Sequence, residues 1–349
     1  MKKNMLALAL ALIFIALPLS SCSTDSGKTV LNVYNWGDYI DEGVLQDFEN
    51  ETGIKVRYST FDKNEELYTK IKNSPQGSYD VAVPSEYMIK KMMNEGLLEK
   101  INMNNVPNYA LIDDSFKNLP FDPNNEYSVP YMWGTLAIAY NSTMVDEDVD
   151  SWSILWDKKY EKQIFMLNSS RDSLGVALKL LGYSMNTKNL DEIDQAKKKL
   201  IEQKPLVLAY VNDELKDKMI AGEGALCYLY SGDGIAIANE NPDIKLAIPK
   251  EGTNLFFDSM CILKGTKNKE AAEEFINFMC RTDIAARNRE EIEYATPQRE
   301  VFEDLPDEIR ENNIIYPDDV SDKVKYEVFD DLAADEVYYN DFWTQVIAE

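Results

Sequence analysis

The chain has 349 residues, 45% of them hydrophobic and 28% charged, with a formal net charge of −25 and no histidine. Such acidity excludes nucleic acid or anionic lipid as a partner recognised through the general field of the protein. The lack of histidine excludes Ser-His-Asp and Cys-His nucleophilic schemes and the usual His-based zinc sites, whereas carboxylate-only chemistry, as in glycoside hydrolases, survives.

Lys2 and Lys3 precede the apolar run 5–17, which is too short to span a bilayer and has the plan of a secretory signal peptide. It ends in Leu19-Ser20-Ser21-Cys22, which resembles a bacterial lipobox. Residues 1–21 therefore read as a lipoprotein signal peptide, Cys22 as the lipid-anchored mature N-terminus, and 22–29 as the anchor linker. A lipid tether holds a domain at a membrane surface without a spanning helix. The chain from residue 30 onward is longer than one core usually holds, so two lobes are expected.

From residue 30, strand and helix patterns alternate. Val30–Tyr34 reads as a strand, 42–51 as a helix ended by Gly53, and 54–60 as a strand. A helix over 64–72 carries Leu67, Tyr68 and Ile71 on one face. Strand 79–83 stops at Pro84, and the next helix carries a core-facing stripe of Met88, Ile89, Met92 and Met93 before Gly96. This βαβαβ order predicts a mostly parallel sheet covered by helices. The long apolar strand 127–141 can pass from one lobe to the other. The pattern restarts with strand 164–167, helices 173–181 and 190–202, strand 206–210, helix 213–221, and strands 225–230 and 244–248. A second bridging strand over 256–263, a helix over 269–281 and a helical region over 326–347 complete the chain. Lobe 1 is expected over 30–135 plus about 259–305, and lobe 2 over 136–258 plus about 306–349. Cys227, Cys261 and Cys280 lie in apolar contexts without CxxC spacing and read as buried small hydrophobes.

Aromatic and acidic residues stand just past the predicted strand ends (Trp36, Asp38 and Tyr39; Ser85 and Tyr87; Ser169 and Asp172; Tyr230 and Asp233) and at the second crossing strand (Phe256 and Asp258). Ligands of open α/β sheets bind at the carboxyl ends of strands. Rings that flank methylenes and carboxylates that pair with ammonium groups suit an aliphatic polyamine. Asp172 can equally cap the helix next to it, and Gly232 and Gly234 around Asp233 suit a tight turn. Asp258, inside an apolar run, needs a partner. Tyr294, in a loop, is either a wall of the cleft or a packed ring.

Six stretches resemble the solute-binding proteins of spermidine/putrescine ABC importers: Tyr-Asn-Trp-Gly-Asp-Tyr (34–39), Glu-Thr-Gly-Ile-Lys-Val-Arg-Tyr-Ser-Thr (51–60), Tyr-Asp-Val-Ala-Val-Pro-Ser-Glu-Tyr (79–87), the run 120–134, Pro-Lys-Glu-Gly (249–252) and Tyr-Ala-Thr-Pro (294–297). The resemblance implies a two-lobed periplasmic-binding-protein fold of type II, each lobe a mixed, mostly parallel sheet with helices on both faces, and two crossing strands as hinge. It carries binding positions onto Trp36, Asp38, Tyr39, Ser85, Tyr87, Asp172, Asp258 and Tyr294. The family often has Trp where this chain has Tyr230 and Phe256, some members have Asp at Ser169, and Asp233 resembles an acidic position of the putrescine-selective branch. The expected protein is a monomeric, extracytoplasmic, lipid-anchored receptor without metal, cofactor or catalysis. It takes a polyamine to ABC permease subunits and touches the membrane only through its anchor. A receptor of the same fold for a sugar, amino acid or metal complex, or a secreted carboxylate-based glycoside hydrolase, are the alternatives. The choice between putrescine and spermidine stays open.

Overall fold

The computed structural model describes residues 29–348, so the predicted leader and Cys22 lie outside the described residues. The first elements are β1 (Val30–Trp36), α1 (Glu42–Thr52), β2 (Lys55–Phe61), α2 (Asn64–Asn73), β3 (Val81–Ala82), α3 (Glu86–Asn94) and β4 (Leu98–Glu99). Asp41 caps α1 by accepting from the Gly43 amide at 2.7 Å, and Gly53 ends it at φ 75°. β1 pairs in parallel with both β2 and β3.

The next strand, β5 (Ser128–Asn141), is buried along almost its whole length. After it come β6 (Ile164–Leu167), α4 (Ser170–Leu180), α5 (Leu190–Gln203), β7 (Val207–Val211), α6 (Leu215–Ile220), β8 (Leu226–Tyr230), α7 (Ser231–Glu240) and β9 (Ile244–Ala247). The chain then returns through β10 (Thr253–Leu263), α8 (Lys269–Met279), α9 (Thr282–Ile292), α10 (Arg299–Asp304) and α11 (Asp307–Arg310). It closes with β11 (Tyr326–Glu327) and α12 (Glu336–Ala348).

The main strand order is β2-β1-β3-β10-β5-β8-β6-β7, and β5 is shared by the two halves. Its residues 128–135 pair antiparallel with β10, whereas 136–140 pair antiparallel with β8 and 138–141 with β9. Each half has its own core. Leu31, Val44, Phe48 and Phe275 belong to the first, and Trp152, Tyr228, Tyr339 and Val346 to the second. A third cluster joins Tyr34, Phe61 and Met88 to Met185, Tyr326 and Phe329, so the tail of the chain packs against both halves. Met88 and Met92 are buried within that cluster, and the three cysteines are free and buried. Among the described residues, no helix is long and apolar enough to cross a membrane.

The structure corrects the sequence reading in four places. Only Val81 and Ala82 of the expected strand 79–83 are in the ladder. Helix α4 starts at Ser170 rather than 173, with Ser169 as its cap. Gly232 and Gly234, which suit a tight turn, lie instead in α7, a helix with no predicted counterpart that runs straight on from β8 with Tyr230 as its extended N-cap. The segment expected to be helical from 326 begins as β11 and becomes helical only at Glu336, because Tyr326 and Glu327 pair with Thr253 and Asn254. Helices α9, α10 and α11 have no predicted counterpart.

Candidate functional site

A cleft between the halves encloses a cavity of about 120 Å³. All twelve cleft residues predicted from the sequence line it. Trp36, Asp38, Tyr39, Ser85, Tyr87, Phe256, Asp258 and Tyr294 come from one side, and Ser169, Asp172, Tyr230 and Asp233 from the other.

Asp258 is the most tightly built of these. The β5–β10 register shifts between Asp258 and Ser259, and Asp258 forms an isolated bridge with Ser85. A bulge of this kind re-aims a side chain that regular alternation would point elsewhere. Tyr39 donates its hydroxyl to Oδ2 at 2.7 Å and Ser85 donates to Oδ1 at 2.7 Å. Ser85 is itself held by Asn64, whose Oδ1 accepts from its amide at 3.1 Å and whose Nδ2 donates to its hydroxyl at 3.1 Å. Burial pushes the Asp258 carboxyl up to about 6, although both hydroxyl donors oppose the shift.

Asp172 repeats the arrangement in the second half. Its Oδ2 accepts from the Ser169 hydroxyl at 2.6 Å and from the Tyr230 hydroxyl at 2.9 Å. Asp172 is therefore not the cap of α4: Ser169 caps the helix, accepting from the Asp172 amide at 3.4 Å. Burial raises the Asp172 carboxyl as well, with the two hydroxyls and, behind them, the Arg171 charge opposing. Both carboxyls thus accept hydrogen bonds only from neutral donors, so that when ionised their charge is left for a cation to meet.

The rings form one connected wall. Tyr39 meets Tyr294 edge-on at 5.1 Å, Tyr294 meets Phe256 at 6.1 Å, and Phe256 meets Tyr230 at 5.3 Å. Trp36 lies against Phe61 at 4.5 Å, and its indole nitrogen is buried without a partner. Tyr294 reaches the wall because α7 carries glycine at 232. A Cβ there would stand 2.0 Å from the Tyr294 ring. That close approach, rather than a turn, accounts for Gly232, and it places Asp233 in the first turn of α7 beside the same ring.

Several further groups line or flank the cleft. Tyr87 donates to Glu65 Oε1 at 3.0 Å. The Arg171 guanidinium lies over the Tyr87, Phe329 and Tyr339 rings at 5.1, 4.4 and 5.2 Å. It also donates to the Asp330 carbonyl at 3.1 Å and to Asn186 Oδ1 at 3.0 Å. Glu86, fully buried, accepts from the Phe257 amide at 2.8 Å through one oxygen and leaves the other without a partner; burial pushes it up to about 8. Asp213 and Lys216 line the second side. Asp213 stands two residues past β7, where the strand-end rule that found the others applies equally. Arg171 carried no comparable signal, because its partners lie far away in sequence.

The cleft is therefore lined by aromatic rings and by eight carboxyl groups against two lysines. That chemistry suits a slender organic cation. Among the described residues, no group of three or more acids or cysteines is arranged to hold a metal ion.

Comparison with known proteins agrees with this geometry. A model of the bacterial extracellular solute-binding protein family matches residues 43–316. The spermidine/putrescine-binding periplasmic protein of Escherichia coli K12 is 38% identical over 305 residues, covering 87% of each chain. The putrescine-binding periplasmic protein SpuD of Pseudomonas aeruginosa is 32% identical over 351 residues, covering 95% of this chain and 94% of its own length. The solved spermidine/putrescine ABC transporter substrate-binding protein PotD of Streptococcus pneumoniae is 40% identical, with a TM-score of 0.78 over 92% of this chain and 99% of its own. The two-lobed α/β architecture is the periplasmic-binding-protein fold, and the chain belongs to the bacterial extracellular solute-binding protein family.

Proposed function

We propose that the chain is an extracytoplasmic receptor for a polyamine of the putrescine/spermidine class, which it delivers to the permease of an ABC importer. The observation that carries this reading is the pair of buried carboxylates, Asp258 and Asp172, each held only by hydroxyl donors beside a continuous wall of rings. A neutral solute leaves two buried charges uncompensated, which is costly, whereas an alkyl chain bearing ammonium groups compensates them. The names of the relatives point to the same class of solute.

In this reading Trp36, Tyr39, Tyr87, Tyr230, Phe256 and Tyr294 cover the methylenes. Asp172 and Asp258 hold ammonium groups, Asp38 and Asp233 lie toward one end of the ligand, and Ser85 and Ser169 orient the carboxylates. No bond is made or broken. The two lobes close on the ligand as rigid bodies, Phe256 and Asp258 moving with the first through their pairing with β5 and Ser85, and the receptor works as a monomer. Calorimetric titration with putrescine, spermidine and spermine tests the reading. At least one is expected to bind, and Trp36→Ala is expected to weaken that binding by about tenfold or more through loss of the ring. Absence of heat and of a thermal shift with all three overturns it.

The lipid anchor at Cys22 belongs to the same proposal and rests on the sequence Leu19-Ser20-Ser21-Cys22 after a short apolar run. Cys22→Ala is expected to move the protein from the membrane fraction to the medium or periplasm. Unchanged membrane association and unchanged incorporation of labelled fatty acid overturn it.

A further inference from the structure

The carboxylates of the cleft are of two kinds. Asp172 and Asp258 accept side-chain hydrogen bonds only from neutral hydroxyls, whereas Asp38 and Asp233 face a charge supplied by the protein itself. Lys216, on α6, places its Nζ 3.1 Å from Asp38 Oδ2 and 3.9 Å from Asp233 Oδ1. Asp38 comes just after β1 in the first half, held at φ 45°, and Asp233 lies on α7 in the second. The lysine therefore spans the cleft.

Asp213 crowds the same place. Its Oδ2 stands 2.7 Å from where a Cβ on residue 37 would be, so Gly37 lets the two sides close up. Burial, together with Asp62, Asp233 and Asp38, pushes the Asp213 carboxyl up to about 6, and Lys216 opposes them. The lysine side chain is only about a quarter exposed, at 25%. One ammonium of the protein thus stands among carboxylates, Asp38 and Asp213 exposed and Asp233 partly buried, that would otherwise attract an ammonium of the ligand.

We propose that Lys216 is a specificity-determining residue: its ammonium holds the cation place between Asp38 and Asp233 and biases the cleft against a third ligand ammonium, favouring diamines over triamines. The inference rests on the polyamine reading of the cleft. Two carboxylates with neutral donors offer places for two ligand ammonium groups. A triamine must bring its further ammonium beside Lys216, where like charges repel.

The test compares wild type with Lys216→Met by calorimetric titration with putrescine and with spermidine in one buffer at neutral pH. Lys216→Met is expected to shift the ratio of the two dissociation constants toward spermidine by about tenfold or more, the scale of one partly exposed like-charge contact. Lys216→Arg is expected to keep the wild-type ratio. Lys216→Gln repeats the measurement without the charge if the methionine variant fails to melt cooperatively. A ratio unmoved by the neutral variants, including the case in which both amines weaken equally, overturns the inference and leaves the receptor reading intact. Wild-type protein that binds neither amine overturns this inference, and wild-type protein that binds none of putrescine, spermidine and spermine overturns the receptor reading as well.

Discussion

Replacing Asp258 by asparagine is expected to weaken polyamine binding by about a hundredfold or more, the range seen when one partner of a buried, hydrogen-bonded charge pair is removed. The variant keeps the size of the side chain and a carbonyl oxygen for Tyr39 or Ser85, so the bulge in β10 and the wall of rings have no reason to move. It removes the charge. Stability of the ligand-free protein is expected to hold or rise, because a carboxylate pushed up to about 6 by burial is itself a cost to the fold. Titration calorimetry reads the first effect and thermal melting the second. Together they separate a binding defect from unfolding, and wild-type affinity in the variant removes Asp258 from the site.

Acidification is expected to act in the same direction without any mutation. Asp258 and Asp213 are both pushed up to about 6, and Asp172 and Asp233 also move upward through burial. A ligand ammonium favours the ionised carboxyl, so below pH 6 each carboxyl that must ionise has to release a proton on binding. Affinity is then expected to fall by up to about tenfold per pH unit for each such group. The stability of the ligand-free protein runs the opposite way for these groups. Their folded pKa lies above the unfolded value, so the folded state holds protons more tightly, and their cost to the fold declines as pH falls through about 6 toward 4. Asp113, lowered to about 2 by Ser115 and Arg299, behaves conventionally: its contribution is present above its ordinary pKa and lost on strong acidification. Titrations stepped from about pH 7.5 to 5 check the binding limb, and an affinity that stays flat over that interval rules it out.

The amino-acid sequence discloses the alternation of strands and helices because each element carries its own periodicity and stop signal, such as Gly53 after α1 and Gly96 after α3. Strand-end residues are legible for the same reason: a carboxylate or ring just past an apolar run stands out locally. What is not legible is anything decided by a distant neighbour. Two glycines around Asp233 look like a turn until Tyr294, far along the chain, is seen to lie where a Cβ on residue 232 would stand. The β11 pairing at Tyr326 and Glu327 depends on Thr253 and Asn254, which local pattern does not connect to it. Lys216 reads as one more polar residue of a short helix, and only the fold brings it to Asp38. Asp172 shows the converse: a helix-capping role is a fair local expectation for it, and Ser169 fills that role instead.

Arg171 ties these scales together. Its side chain rests on a ring of α3, on Phe329 in the tail and on Tyr339 of α12, while the next residue in the chain is Asp172. The guanidinium is thus a rivet through three separate passages of the backbone, set one position from a carboxylate of the cleft. Through it, the closing segment of the chain bears mechanically on the pose of Asp172, so the tail is a structural member of the cleft and not a trailing end.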